Sequence, residues 1–217
     1  MKKAETIYCD FDGTITKKDA VNTFFEEFAS PDWTKSEELW VQGKISSREN
    51  AIIQVGMVRE LSEKELNDFI YSIEIDEYFS EFCALLKEKN IELVILSDGF
   101  DLFIEKTLER LNLSNIKFYA NRLVHKNDNK FAIEFPYFEN NCQKGSGMCK
   151  CLKVKYDDFC YIGDGVSDLC IAKKAKTLFA SKALLKYCET NNIKCIPFKN
   201  FRDIINCVNN NSYHFIY

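Results

Sequence analysis

Two aspartates one residue apart, Asp10 and Asp12, sit in the run Asp10-Phe11-Asp12-Gly13-Thr14. The stretch before them, Thr6-Ile7-Tyr8-Cys9, is apolar and β-rich, as a buried parallel strand should be. Side chains alternate along a strand, so Asp10 and Asp12 are expected on one side, with Phe11 on the other. Gly13 then lets the backbone turn sharply. Two carboxylates this close repel, and burying both without a counter-charge is costly. A divalent cation such as Mg²⁺ removes that cost and leaves one carboxylate oxygen free to react. The arrangement suits chemistry on phosphate esters.

Two later segments have the same design. The apolar run from Ile91 to Leu96 ends in Ser97-Asp98-Gly99, and Phe159-Cys160-Tyr161-Ile162 ends in Gly163-Asp164-Gly165, with Asp168 following. A shorter apolar run from Ile116 to Ala120 lacks such an ending. Helical patterns lie between these runs, over 76–90, 101–111 and about 150–156. Strands alternating with helices argue for a Rossmann-like α/β fold, a parallel sheet flanked by helices. Ligands bind at the carboxyl ends of such strands, where all three polar clusters fall. Each cluster also has a plainer reading. Asp10 and Asp12 could shape a turn, Ser97 could cap a helix starting near Phe100, and Asp164 and Asp168 could cap another. The roles are compatible, because a helix N-terminus is itself an anion site.

Residues 17–75 break the alternation. Val21, Phe24, Phe25 and Phe28 recur at helical spacing until Ser30-Pro31 ends the run. Further helices are expected over 33–42, 46–58 and 62–71, the last opened by a capping box at Ser62 and Glu65. This is a small helical cap inserted after the first strand, placed to act as a lid that excludes water and selects substrate. The expected division is a core of residues 1–16 and 76–217 with a cap of 17–75. Segments at 122–125 and 130–135 read as a β-hairpin, and Asn209-Asn210-Asn211 as a mobile end.

At 217 residues the chain can bury a substantial core, and its 18 Phe argue against disorder. A net charge of −4 gives no case for nucleic acid. No apolar run approaches the roughly 20 residues that cross a bilayer, and the start, Met-Lys-Lys-Ala-Glu, has no apolar signal region. Of ten cysteines, Cys9, Cys83, Cys160 and Cys170 fall inside apolar patterns as reduced core thiols. A cytoplasmic, reducing compartment is expected. Cys142, Cys149 and Cys151 could hold zinc with a fourth group, but their spacing is not that of a structural zinc site, and packing thiols are the simpler reading. His125 and His214 read as surface or structural residues.

Taken in order, Asp10-Phe-Asp12-Gly-Thr-Ile-Thr, Ser97-Asp-Gly, a later lysine and Gly163-Asp164-Gly-Val-Ser-Asp168 resemble the four motifs of the haloacid dehalogenase superfamily of phosphatases, over residues 7 to about 172. Within it the chain resembles the phosphoserine phosphatase-like branch. Trp40-x-x-Gly43-x-Ile45-Ser46-x-Arg48-Glu49, the Cys-rich 142–151 segment and Phe179-Ala180 look most like the methionine-salvage phosphatases, which act on 2-hydroxy-3-keto-5-methylthiopentenyl-1-phosphate. The resemblance implies that Asp10 is the nucleophile that becomes a phospho-aspartate, and that Asp12 protonates the leaving oxygen and then activates water. It implies Mg²⁺ on Asp10, the Asp12 carbonyl and Asp164, with Asp168 supporting the metal. Ser97, the backbone of Asp98 and Gly99, and a lysine would hold the phosphoryl oxygens. Lys144-Gly145 resembles the lysine motif of phosphoserine phosphatases and Cys149-Lys150 that of the salvage enzymes; Lys150, which opens a helical run, is the assignment.

Phosphoserine phosphatases place a Glu nine residues after the nucleophile and an Arg in the third cap helix to grip the serine carboxylate. Here those positions hold Asp19 and, counted from Gly43-Lys44, Ile52, which cannot pair with a carboxylate; Arg48 lies one turn away. A small phosphorylated metabolite lacking a carboxylate is therefore expected, with phosphoserine or another metabolite as the alternative. Dehalogenases lack the acid at the Asp12 position, a phosphomutase would differ only in lid and product, and a non-catalytic metal- or phosphate-binding domain is the reading outside enzymology.

Overall fold

The computed structural model describes residues 6–142, 145–155 and 158–210. Seven strands form one sheet: β1 (Thr6–Cys9), β2 (Glu92–Phe100), β3 (Lys117–His125), β4 (Phe131–Glu134), β5 (Cys160–Gly163), β6 (Thr177–Ala180) and β7 (Ile196–Pro197). Their order is β4-β3-β2-β1-β5-β6-β7, parallel throughout except for β4, which pairs antiparallel with β3. From β1 the chain builds the sheet first toward β2 and β3 and later toward β5 and β6. This reversal of strand order opens a crevice at the carboxyl ends of the central strands.

Alternation along β1 divides the core. Ile7 and Cys9 face one apolar layer with Ile95, Phe82, Phe103 and Phe201, while Tyr8 faces another with Val94, Tyr161, Ile171 and Leu184. The first layer holds α5 (Phe79–Glu88), α6 (Asp101–Arg110) and α10 (Phe201–Asn209); the second holds α7 (Lys150–Lys153), α8 (Leu169–Ala172) and α9 (Lys182–Thr190). Both faces of the sheet are covered, which explains why β1 and β5 are apolar without interruption.

Between β1 and α5 lie α1 (Ala20–Phe28), α2 (Trp33–Val41), α3 (Ser47–Gly56) and α4 (Glu63–Ser72). The insertion enters and leaves through paired backbone. Thr16 bridges Ile75, Lys17 N–H donates to the Glu74 carbonyl at 2.9 Å and Asp76 N–H to the Ile15 carbonyl at 2.9 Å. Asp19 caps α1, and complete capping boxes open α3 at Ser46 and α4 at Ser62. Phe24 joins insertion to sheet: its ring meets Phe25, Phe28, Phe69, Phe100, Phe103 and Phe131 at centroid distances of 5.2–6.3 Å. Phe24, Phe25 and Phe28 are thus all core.

The observed elements depart from the sequence reading in three places. The short apolar run and the first hairpin arm are one continuous strand, β3, because its C-terminal half gains β4 as a partner. The helix after residue 150 ends at Lys153. Strands β6 and β7 and helices α9 and α10 had no sequence forecast, although Phe201, Ile204, Ile205 and Val208 have the spacing of a buried helical stripe. Asn209 closes α10, and Asn211 lies outside the described residues. No helix among the described residues is long and apolar enough to cross a membrane.

Candidate active site

Asp10 follows β1 directly, and its N–H donates to the Ile162 carbonyl at the end of β5 at 2.9 Å. Its Oδ1 accepts from Phe11 N–H at 2.8 Å and lies 2.8 Å from Lys150 Nζ. Lys150 opens α7 and is 2% exposed. Its ammonium also lies 2.6 Å from Asp168 Oδ1 and donates to Ser167 Oγ at 3.1 Å. Asp168 is saturated by donors: Tyr161 OH reaches Oδ1 at 2.5 Å, and the N–H groups of Asp164 and Gly165 each reach Oδ2 at 3.0 Å. Burial, reinforced by Asp168 and opposed by Lys150, holds the Asp10 carboxyl well above the usual carboxylate range. Burial works against the Lys150 ammonium, but Asp10 and Asp168 outweigh it and raise its pKa above the ordinary lysine value.

Asp12 stands at the turn. Ser97 Oγ, at the end of β2, donates to its Oδ2 at 3.0 Å and accepts from Gly99 N–H at 2.8 Å. Among the described residues, the buried Asp12 Oδ1 has no partner. Burial, followed by the nearby Asp19, pushes the Asp12 pKa up to about 7. Gly13 has φ +75°, and a Cβ there would strike the Asp164 carboxylate. One at Gly99 would strike Asp12 Oδ2. The two glycines are what allow these acids to approach.

Asp164 accepts from Thr14 Oγ1 at 3.0 Å and from Lys182 Nζ at 3.1 Å; Lys182 also donates to the Gly13 carbonyl. Burial raises the Asp164 pKa and Lys182 opposes it. Among the described residues, ligand oxygens of Asp10, Asp164 and Asp168 lie within 4.8 Å of one another, a grouping that could hold a metal ion. The donors are hard oxygens and Asp12 Oδ1 is unpartnered, so the set fits a hard divalent cation such as Mg²⁺. Each Asp168 oxygen already accepts from two donors, whereas each Asp164 oxygen accepts from one, so Asp10 and Asp164 are the carboxylates more open to a cation.

Asp98 turns its carboxylate away from this cluster. It accepts from Ser47 Oγ at 2.5 Å, Asn121 Nδ2 at 3.0 Å and Met148 N–H at 2.9 Å, joining α3, β3 and the segment before α7. Asp19 spends its side chain capping α1. Ile52 lies on the exposed side of α3, and the Arg48 guanidinium lies over Phe135 and Phe138. His125 bonds the Leu61 carbonyl at 2.8 Å and stacks on Phe131. Lys144 and His214 lie outside the described residues. Cys142, Cys149 and Cys151 are free thiols and not part of the acidic group. Sequence reasoning had not singled out Thr14, Tyr161, Ser167 or Lys182. Thr14, Tyr161 and Ser167 lie inside or beside the motifs, where their polarity was a usable signal, whereas nothing near Lys182 marks it.

The profile of the haloacid dehalogenase-like hydrolases matches residues 7–173. The chain belongs to that family. Among curated relatives of this hydrolase, the 2-hydroxy-3-keto-5-methylthiopentenyl-1-phosphate phosphatase of Geobacillus thermodenitrificans is 32% identical, covering 94% of this chain and 96% of the relative. The protein of the same name from Bacillus cereus is 34% identical, covering 91% and 93%. The fold matches a substrate-bound phosphoserine phosphatase with a TM-score of 0.71 at 24% identity, covering 95% of this chain and 99% of that one. A phospho-aspartyl intermediate analogue of phosphoserine phosphatase matches at 0.68 and 23%, covering 94% and 99%. This family member is an enzyme, a phosphatase that hydrolyses phosphomonoesters.

Proposed function

We propose that the enzyme uses Mg²⁺ and a phospho-aspartate on Asp10 to hydrolyse 2-hydroxy-3-keto-5-methylthiopentenyl-1-phosphate, or a close thioether relative, in methionine salvage. The chemistry rests chiefly on one observation: Lys150 is buried between Asp10 and Asp168, beside an Asp12 whose pKa is raised to about 7. The substrate rests on relatives of that name matched over more than nine-tenths of both chains.

Asp10 attacks phosphorus; an Asp10 O–P bond forms as the ester P–O bond breaks. Asp12, kept protonated near neutrality by burial, gives its proton to the departing oxygen. It then accepts a proton from the water that attacks the phospho-aspartate and releases phosphate. Lys150 orients Asp10 and, with Ser97 and the Asp98 N–H, holds phosphoryl oxygens; the Gly99 N–H fixes the Ser97 hydroxyl. Asp168 is the anchor that positions Lys150. Asp10, Asp164 and the Asp12 carbonyl would hold the Mg²⁺, which supplies positive charge to the phosphoryl group. The helical insertion serves as the cap, and the ten free cysteines support a reducing, cytoplasmic setting.

Phosphoserine is the weaker reading, since Ile52 is exposed and the Arg48 guanidinium is stacked on two rings, leaving neither set to clamp a carboxylate. A panel of phosphorylated metabolites, with and without Mg²⁺, tests the proposal. The thioether ester should give the highest kcat/KM and chelation should abolish turnover. Preference for phosphoserine, or turnover undiminished by exhaustive chelation, overturns the corresponding part.

A further inference from the structure

Strands β2 and β3 pair in step from Val94–Lys117 to Leu96–Tyr119, and pairing resumes only at Phe100–Asn121. Ser97, Asp98 and Gly99 thus stand opposite Ala120 alone, in a bulge that takes them out of the ladder. The Asn121 side chain fills the gap. Its Nδ2 donates to the Asp98 carbonyl at 2.6 Å and to Asp98 Oδ1 at 3.0 Å. Both partners are acceptors, so only the amide nitrogen can face them. That orientation leaves Asn121 Oδ1 buried and, among the described residues, without a partner. Asn121 is 1% exposed, and a Cβ on Gly147 would lie 2.6 Å from this oxygen, so the segment before α7 closes over the amide. An orphaned acceptor is destabilising, and the bonds it accompanies go to the loop beside the acids.

We propose that Asn121 is a positioning residue that fixes the Asp98–Gly99 peptide and, through it, aims the Ser97 hydroxyl. The effect on turnover rests on the proposed phosphatase chemistry; the hold on the peptide does not. The Asp98 carbonyl and the Gly99 N–H are opposite ends of one planar peptide unit. Asn121 holds the first end. The second donates to Ser97 Oγ at 2.8 Å, and Ser97 Oγ donates to Asp12 Oδ2 at 3.0 Å. Asn121, the peptide, Ser97 and Asp12 therefore form one directed chain in which each hydrogen bond polarises the next. Rotation of the peptide plane would turn the Gly99 N–H off Ser97 and free the hydroxyl to leave Asp12. Ser47 and Met148 keep hold of the Asp98 carboxylate without Asn121, so its loss falls on the peptide. Displacement of a positioned group by about 1 Å can cost up to about a hundredfold in rate.

The test begins with hydrogen exchange, followed by NMR, in the full-length native enzyme. The Asn121 side-chain amide and the Gly99 N–H should both exchange slowly; fast exchange of either overturns the inference. Asn121→Ala and, independently, Asn121→Leu, which keeps the bulk, should speed Gly99 exchange about tenfold while the amides of Val94, Ile95 and Leu96 stay protected. Both variants should lose about tenfold or more in kcat on p-nitrophenyl phosphate, with KM little changed, because the aimed hydroxyl acts in the transition state. A folded variant with native kcat, or with Gly99 exchange unchanged, overturns the inference. Lack of turnover by the native enzyme would instead count against the phosphatase reading, with Gly99 exchange still deciding whether Asn121 holds the peptide.

Discussion

Lys150 sets one positive charge between two buried carboxylates, 2.8 Å from Asp10 and 2.6 Å from Asp168. Replacing it by methionine keeps the bulk and leaves both acids uncompensated. Lys150→Met is expected to cost about 3–5 kcal/mol, the usual result of removing one partner of a buried pair; an unchanged urea midpoint would contradict that role. Asp12 carries a pH dependence. Its ordinary value of 3.8 rises to about 7 in the fold, which corresponds to on the order of 4 kcal/mol. The folded state binds that proton more tightly than the unfolded chain. Its stabilisation is therefore full below about pH 4 and lost as pH rises through about 7. Thermal melts of the metal-free protein should fall between pH 5 and 8, and Asp12→Asn should flatten the trend. A flat native profile would show that Asp12 ionises freely. Asp10, Asp12, Ser97 and Asp164 were legible because each ends an apolar run beside a glycine. Lys182 was not, because its partners Gly13 and Asp164 are distant in sequence and its backbone, at φ +44°, takes a left-handed conformation that a lysine does not signal.

The elements depend on brackets between them. Asp98 fastens α3 to β3 and to the segment before α7 by accepting three hydrogen bonds on one carboxylate. Asp98→Ala should raise KM about tenfold, the equivalent of one hydrogen bond to a charged group at about 1.5 kcal/mol. It should also speed amide exchange at the start of α3; unchanged exchange there would mean that the cap is held by other contacts. The four helices of the insertion and the strands that end in polar clusters could be read from caps and periodicity. The second half of the sheet could not. Strand β6 has four residues and β7 two, too short to show a pattern; β6 forms on the edge that β5 offers, and β7 on the edge of β6.

Across the whole molecule, acids from residues 10 and 164 meet because β1 and β5 are neighbours at the point where the sheet reverses. The insertion is joined to the core through Phe24, whose ring meets Phe100 and Phe103, and through the Ser47–Asp98 hydrogen bond. Strand alternation in the sequence foretold the shared edge, but not the adjacency of β1 and β5, which is a property of the closed topology. On the proposed mechanism this edge lets Asp10 take the phosphoryl group. Rapid acid quench of the Mg²⁺-loaded enzyme turning over p-nitrophenyl phosphate, followed by peptide mapping, tests it most directly. The phosphoryl group should be found on Asp10, with none on Asp10→Asn and no turnover by that variant. A phosphoryl group on another residue, or native-rate turnover by Asp10→Asn, would contradict it.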